Sequence, residues 1–438
     1  MMAYRMSGTI PVVQAFQQDI ECMPRRELKT VQGCLLAQAI RRAKRAPFFR
    51  ERLSAIADDI TTISPMQFQQ LVPLTTKQDL RQAGAGAWAA DANTRIAMCL
   101  ATSGTTGARI ALPYTRGDLD NWFTLAARML WTNGLRPDDV TLLPVPMGLF
   151  SGGQGMFGGL RRLGCTVIPV GPVHTPQMAE ILRGDLGVTP TAIVSLPTHM
   201  LRLLDSLPQI GYDPASSPLR IGSFGAEAWT EAARTRIEEG FGLRAVDSYG
   251  IGELCGPGVG AECEYRDGLH IWEDAFFPEI IDLATGEPVP DGTQGEFVLT
   301  NLFREAFPLL RFRTGDAAAI IPGPCACGRT HRRITRIPGR LDSVLIVTGV
   351  NIDPADIETI LYSFPWLANE FYLEVGGAHR NELVVHIERK AGAEIPANDE
   401  AKITETIRRA YPVRIILQLH DAGQLERLPG KAQRIRGQ

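Results

Sequence analysis

Residues 191–249 read TAIVSLPTHMLRLLDSLPQIGYDPASSPLRIGSFGAEAWTEAARTRIEEGFGLRAVDSY. Three short apolar runs, Thr191–Leu196, Leu219–Phe224 and Arg244–Tyr249, read as buried strands. Between them His199–Leu207 and Thr230–Phe241 are amphipathic at helical spacing. The pattern extends upstream, where Val140–Pro146 and Thr166–Val170 are two more such runs and Pro176–Arg183 another amphipathic stretch. Strand–helix alternation of this kind predicts a mostly parallel sheet covered by helices. Ligands then sit in loops at the carboxyl ends of the strands.

Outside this block the pattern changes twice. Residues 1–95 look mostly helical, with mixed charged and apolar segments such as Val31–Arg45. After about residue 265 come short runs broken by Gly, Pro and Asp: His270–Trp272, Phe277–Asp282, Glu296–Thr300, Leu309–Phe312 and Ala317–Ile321. These predict antiparallel strands in a small sheet or barrel. Near Gly339 a last unit begins, reading strand (Val344–Thr348), helix (Pro354–Ser363), strands (Phe371–Val375, Glu382–Glu388), helix (Asp399–Ala410) and strand (Arg414–Leu419). The expected fold is α/β. A large N-terminal domain, 1–340, has parallel-rich sheets and a barrel-like antiparallel part, and a small mobile α+β domain follows at 341–438.

Composition narrows the class. The 438 residues are 45% hydrophobic and 21% charged, with a formal net charge of −3, so neither a nucleic-acid nor a membrane-surface partner is indicated. Basic clusters at Arg329–Arg340 and Arg427–Arg436 suit phosphate-bearing small molecules equally well. No secretory segment and no 18-residue apolar run is evident, which predicts a cytoplasmic enzyme. Eight cysteines in such a chain argue for reduced thiols or metal ligation.

Several turns carry chemistry. Thr102-Ser103-Gly104-Thr105-Thr106-Gly107 follows the apolar run Ile96–Leu100 and offers hydroxyls and unshielded backbone N–H groups to a phosphate chain. It is not a Walker A loop, since no Gly-Lys-Ser/Thr follows, and a plain turn would look similar. Ser223-Phe224-Gly225-Ala226-Glu227 would let a flat ring approach the backbone, or is a tight strand-to-helix turn. Asp247-Ser248-Tyr249-Gly250 offers a ring for stacking, and Glu253 a carboxylate for Mg²⁺ or for solvent. Asp316, on the Thr314-Gly315-Asp316 turn, can accept both hydroxyls of a ribose, or the segment is only a turn. Gly339-Arg340-Leu341-Asp342 reads as a hinge with a cation at its lip, and Lys431 sits in the tail turn Leu428-Pro429-Gly430-Lys431. Phe150, Ser151 and Gly152, in the segment Pro146–Gly153, make a flat slot for an aromatic ring or a Gly-rich turn with a core Phe. Cys263, His270, Cys325 and Cys327 are two pairs of soft ligands that suit tetrahedral structural Zn²⁺, or else are buried for packing.

Taken in order, these turns resemble the adenylate-forming superfamily of acyl- and aryl-CoA ligases, adenylation domains and luciferases. Within it the chain resembles the phenylacetate–CoA ligase family. The matching runs are Tyr249–Cys263 (YGIGELCGPGVGAEC), Gly268–Asp274 (GLHIWED), Cys325–Thr330 (CACGRT) and Gly339–Pro354 (GRLDSVLIVTGVNIDP). The likeness runs from about residue 30 to the C-terminus. It implies a two-step ligase: a carboxylate attacks the α-phosphate of ATP, giving an acyl-adenylate and pyrophosphate, and the thiol of coenzyme A then displaces AMP. The attacking carboxylate needs no activated nucleophile, only alignment and charge neutralisation, where one well-placed group contributes roughly 3–4 kcal/mol.

By that resemblance Thr102 to Gly107 wrap the β- and γ-phosphates, with Thr105 catalytic, and Glu253 ligates Mg²⁺. Gly225, Ala226, Glu227 and Tyr249 frame adenine beside Asp247, Ser248 and Gly250; Asp316 holds the ribose and Arg340 also faces the nucleotide. Lys431 bridges substrate carboxylate and α-phosphate, and the small domain swings about Asp342. Phe150, Ser151 and Gly152 with Phe224 and Ala226 line a neutral aryl pocket for a phenylacetate, benzoate or anthranilate type of acid. One departure is clear: Ala108-Arg109-Ile110 replaces the Pro-Lys or Lys-Pro pair of many relatives, leaving Arg109 as the substitute charge. The acceptor is coenzyme A or, alternatively, the phosphopantetheine thiol of an acyl carrier protein; a regulator with a degenerate nucleotide site is a third reading. The chain is expected to be a monomer or homodimer.

Overall fold

The computed structural model describes residues 15–84, 94–102, 109–339, 345–377, 381–427 and 433–436. Its strands, in chain order, are β1 (Met98–Ala101), β2 (Ala111–Tyr114), β3 (Val140–Leu142), β4 (Thr166–Ile168), β5 (Ala192–Ser195), β6 (Ile221–Gly225), β7 (Arg244–Ile251), β8 (Gly256–Glu262), β9 (Leu269–Ile271), β10 (Phe276–Ile281), β11 (Gly295–Asn301), β12 (Phe312–Ala318), β13 (Ile320–Ile321), β14 (Arg333–Ile334), β15 (Leu345–Val347), β16 (Val350–Ile352), β17 (Leu367–Gly376), β18 (Glu382–Arg389) and β19 (Arg414–His420).

Nine of them form one sheet in the order β13-β14-β9-β8-β7-β6-β5-β3-β4. From β4 to β7 the pairs are parallel, as the strand–helix alternation predicts, and helices Ser151–Leu163, Thr175–Arg183, Pro197–Ser206 and Glu231–Phe241 make the crossovers. From β7 onward the pairs are antiparallel. Here the structure corrects the sequence expectation, because β9 and β13 join the large sheet rather than the small one. The turn at Arg266 and Gly268, both with positive φ, folds the chain straight back. A side chain at Gly268 would come within 2.4 Å of the Ile334 carbonyl, so only glycine lets β9 and β14 close up. The small sheet is β10-β11-β12, all antiparallel.

Two cores flank the large sheet. Val194, Ile221 and Val246 belong to one, shared with the N-terminal helices and helix Arg116–Asn133. Ile193, Phe224 and Ala245 belong to the other, under the crossover helices, and this core continues without a break into the C-terminal unit through Ile357, Leu361 and Phe371. Alternate residues of a strand face opposite ways, so the split follows from parity. In the C-terminal unit β17 pairs antiparallel with β18 and β18 parallel with β19, and helices Pro354–Tyr362 and Asp399–Ala410 match the predicted spans within a residue. No helix among the described residues is long and apolar enough to cross a membrane.

Candidate active site

The predicted phosphate loop begins at Thr102, at the neck of a β-hairpin. Strands β1 and β2 pair with Ala101 opposite Ala111, and Thr102 closes the neck: its N–H donates to the Ile110 carbonyl at 3.0 Å, and its Oγ1 accepts from Ile110 N–H at 3.0 Å. Ser103, Gly104, Thr105, Thr106 and Gly107 lie outside the described residues, as do Arg340, Asp342 and Lys431.

Ala101 N–H donates to the Leu149 carbonyl at 2.9 Å, which ties the hairpin to the segment before helix Ser151–Leu163. Leu149 and Phe150 are exposed there, and the Arg109 guanidinium stands 6.0 Å from the Phe150 ring centroid. A side chain at Gly152 would meet nothing within 4 Å, whereas one at Gly153 would strike the Pro146 carbonyl at 2.2 Å. The first therefore leaves an open wall and the second fixes the helix start. Ser151 in turn lies against the β7–β8 turn, since a side chain at Gly252 would sit 3.5 Å from its Oγ.

That turn presents Glu253, whose carboxylate is buried and paired with Lys77 at 2.9 Å. Lys77 belongs to a segment stitched to β12, because Thr75 N–H donates to the Arg311 carbonyl and Arg313 N–H to the Thr75 carbonyl, both at 2.9 Å. Further along β12, Asp316 accepts from the Tyr249 hydroxyl at 2.6 Å. Thr102, Phe150, Ser151, Glu253, Asp316 and Tyr249 are thereby linked through successive contacts. Glu253 already carries a cation in a buried setting, so its position selects positive charge, as an Mg²⁺ ligand requires.

Other predicted residues are held by the frame. Gly225 is needed at the end of β6 because a side chain there would come within 2.2 Å of the Ser248 carbonyl. Ala226 follows it at φ 69, exposed, in the left-handed region that costs a non-glycine residue about 1–2 kcal/mol. Glu227 accepts from Thr198 N–H at 2.7 Å, fixing helix Pro197–Ser206. Ser248 Oγ is engaged with Asn133 Oδ1 at 2.7 Å and Ser223 Oγ at 2.8 Å. Asp247 is fully buried, and although desolvation pushes its carboxyl up, Arg336 Nε donates to it at 2.9 Å. Phe224 departs from expectation. Its ring is wholly buried, 5.8 Å from Trp229 and edge-on, in the core under the crossover helices, so its side chain does not wall an open pocket. Lys77 and Asn133 escaped the sequence reading, since neither sits in a recognisable motif, and Arg336 was read only as part of the basic cluster Arg329–Arg340.

The soft ligands converge. One ligand atom from each of Cys263, His270, Cys325 and Cys327 lies within 4.8 Å of the others, and all four residues are buried. Cys263 Sγ is 3.7 Å from Cys325 Sγ, and Cys327 Sγ is 3.4 Å from His270 Nε2. A tetrahedral Zn²⁺ with ordinary bond lengths would set these separations at about 3.8 and about 3.6 Å. Hydrogen bonds from Cys263 and Cys325 hold the Cys327 thiol below its ordinary range, while the Cys325 and Cys327 contacts push Cys263 up. Desolvation lowers the His270 pKa, and its Nδ1 is buried without a partner among the described residues. The donor set fits the ion.

A protein-family model described as AMP-binding enzyme matches residues 35–301, and one described as AMP-binding enzyme C-terminal domain matches 349–438. The phenylacetate-coenzyme A ligase of Aromatoleum evansii is 38% identical over 391 residues, 88% of this chain and 87% of that protein. A crystal structure of 2-hydroxyisobutyryl-CoA ligase in the postadenylation state, in complex with 2-HIB-AMP, superposes with a TM-score of 0.88 at 25% identity, covering 97% of this chain and 92% of the other. The same ligase in complex with 2-HIB-AMP and CoA in the thioesterification state gives 0.69 at 26% identity, covering 95% and 91%. The arrangement here is nearer the first.

Proposed function

The chain belongs to the phenylacetate–coenzyme A ligase family of AMP-binding enzymes, and on that premise we propose that it is an ATP-dependent aryl-CoA ligase for a small aromatic carboxylic acid. The observation that carries the reading is the linked set around the hairpin neck: Thr102, Glu253 with Lys77, and Asp316 with Tyr249. The acid's carboxylate attacks the α-phosphate, pyrophosphate leaves, and the coenzyme A thiol then attacks the acyl carbon as AMP departs. No protein nucleophile is required, so the residues hold, neutralise and align. Ser103 to Gly107 would offer N–H and hydroxyl donors to the β- and γ-phosphates. Asp316, to which the Tyr249 hydroxyl donates, would receive the ribose hydroxyls. Mg²⁺, when bound, neutralises and orients phosphate oxygens, and Glu253 would hold it. The open wall at Gly152 beside Phe150 suits a flat neutral ring of phenylacetate, benzoate or anthranilate size. Relatives named as CoA ligases support coenzyme A, rather than a carrier-protein thiol, as acceptor. ATP and coenzyme A as substrates suit a cytoplasmic location.

The division of labour falls at the undescribed 340–344 stretch: residues 1–340 would bind ATP and acid, and 341–438 would bring Lys431 and swing about Asp342. A pyrophosphate-release screen over aromatic and aliphatic acids, with and without coenzyme A, tests the function. Release that is strongest with aliphatic acids, or that yields no CoA thioester, would sink it. Asp316→Ala should raise KM for ATP by roughly 10- to 100-fold, the loss of hydrogen bonds to a charged group, and leave the KM for the acid within a factor of about 3.

Cys263, His270, Cys325 and Cys327 would hold a structural Zn²⁺, pinning the 325–327 turn to β8 and β9. The next residues anchor the N-terminal arm: Arg329 Nε donates to buried Glu21 at 2.6 Å, and Thr330 Oγ1 to the Met23 carbonyl at 2.6 Å. Protein purified without chelator should contain about one zinc per chain. Cys325→Ser should lose most of it and melt at least about 5 °C lower. Metal analysis and a thermal scan check both, and zinc-free wild type of unaltered stability would refute the assignment.

A further inference from the structure

Lys77 and Glu253 lie far apart in sequence, yet Lys77 Nζ stands 2.9 Å from Glu253 Oε1, with the lysine side chain 35% exposed and the carboxylate buried. The lysine is held in place from both sides. A capping box starts its helix, Lys77–Ala83: Thr76 Oγ1 accepts from Asp79 N–H at 3.1 Å and Asp79 Oδ2 from Thr76 N–H at 2.8 Å. Thr75, two residues earlier, is hydrogen-bonded through its backbone to Arg311 and Arg313 at the start of the strand that carries Asp316.

On the far side of the pair, a side chain at Gly252 would sit 3.8 Å from Leu112 Cδ1, so the turn bearing Glu253 abuts the hairpin strand that leads from the Thr102–Gly107 loop. A buried carboxylate needs a counter-charge, and Lys77 supplies it. An ammonium and a divalent ion compete for one carboxylate, because their like charges repel at such short range. The hairpin offers no lysine of its own: Ala108-Arg109 follows the loop, and Arg109 lies near the Phe150 ring. A flexible four-carbon stem lets a displaced ammonium swing toward an arriving polyphosphate.

We propose that Lys77 is the resident counter-cation of Glu253, that a divalent ion displaces it, and that the freed ammonium then contacts the β- or γ-phosphate of ATP. This rests on the reading of Glu253 as the divalent-ion ligand. The pair therefore keeps the site neutral before ATP arrives and contributes a phosphate contact afterwards. Lys77 thus has two effects of opposite sign, which a purely structural lysine would not have.

The test uses Mn²⁺ as the probe ion, with binding to the full chain measured by electron paramagnetic resonance without nucleotide, alongside ATP–pyrophosphate exchange. Lys77→Ala should bind Mn²⁺ about tenfold more tightly than wild type without nucleotide, since the competitor is gone. It should also show a KM for Mg·ATP raised about tenfold, and Lys77→Arg should recover most of that loss. Mn²⁺ affinity that is unchanged or weaker in Lys77→Ala, while Glu253→Gln abolishes binding, overturns the role of Lys77 alone. Undiminished Mn²⁺ binding and exchange in Glu253→Gln overturns the ligand reading of Glu253 and this proposal with it. Lys77 is partly exposed, so a melting temperature within about 2 °C of wild type is expected for the alanine variant.

Discussion

Lys431→Ala is expected to slow adenylate formation about 10²- to 10³-fold while leaving thioester formation from a pre-made aryl-adenylate within a factor of about 3. The size is that of removing one well-placed charge from a transition state in which negative charge gathers on the α-phosphate. Lys431 lies outside the described residues, but the chain on both sides of it is anchored. Before it, Arg427 forks Glu388 with both contacts at 2.6 Å. After it, residues 433–436 run beside β17: Leu373 N–H donates to the Arg434 carbonyl at 2.8 Å and Arg436 N–H to the Leu373 carbonyl at 2.9 Å. Burial pulls the Arg434 pKa down, but the Tyr362 hydroxyl and the carboxylates of Glu358, Glu370 and Glu227 together hold it above its ordinary value.

Truncating a lysine between two fixed points removes a charge and a reach without loosening its supports. Pyrophosphate exchange and thioester formation from synthetic aryl-adenylate, measured separately, decide the matter. Equal losses in the two assays would mean that the lysine serves both steps or merely supports the tail.

The elements were legible where local pattern and tertiary context agree. The crossover helices and the strands from β3 to β7 were readable because short, mainly apolar runs alternate with amphipathic stretches, and β5 and β6 are buried along their whole length. The C-terminal unit was readable because its helices are amphipathic and its strands lie between turns. Strand partners were not, since nothing within Leu269–Ile271 says whether it pairs with β8 or with the small sheet; a glycine turn and the length of the return decide that. The same limit explains Phe224. In a strand buried on both faces, composition cannot say which face meets the site, and parity sends Ser223 to one side and Phe224 to the other. The motif residues Glu253 and Asp316 were legible through their setting, whereas Lys77 was not, because a lone lysine at a helix start looks solvated. The four metal-type ligands were visible as pairs, and only folding brought the pairs together.

Reversing one charge at the seam between the domains should separate the two half-reactions by a different route. Arg202 forks Glu370, with Nε to Oε2 at 2.8 Å and Nη2 to Oε1 at 3.0 Å, and Glu370 is buried. Beside it Asn369 donates to Asp205 through its N–H and its Nδ2, both at 2.9 Å. Arg236 donates to the Tyr362 carbonyl at 2.8 Å, the Phe364 carbonyl at 3.1 Å and Asn369 Oδ1 at 2.8 Å. Every one of these contacts joins helix Pro197–Ser206 or Glu231–Phe241 to the C-terminal unit, and the proposed swing would have to break them all. Burial pushes the Asp205 carboxyl up to about 6, so the closed arrangement favours its protonated form. That contribution is lost as pH rises through about 6 and is flat above.

Arg202→Glu places two carboxylates together and removes one partner of a buried pair, a change worth about 3–5 kcal/mol against closure. Adenylate formation should fall at least about 100-fold, while thioester formation from pre-made aryl-adenylate should hold or rise. Arg202→Glu combined with Glu370→Arg should recover at least about a tenth of the wild-type exchange rate, because the fork is rebuilt with its ends exchanged. Half-reactions that fall together in Arg202→Glu, with no recovery in the double variant, would mean that the fork stabilises the fold rather than the closed state.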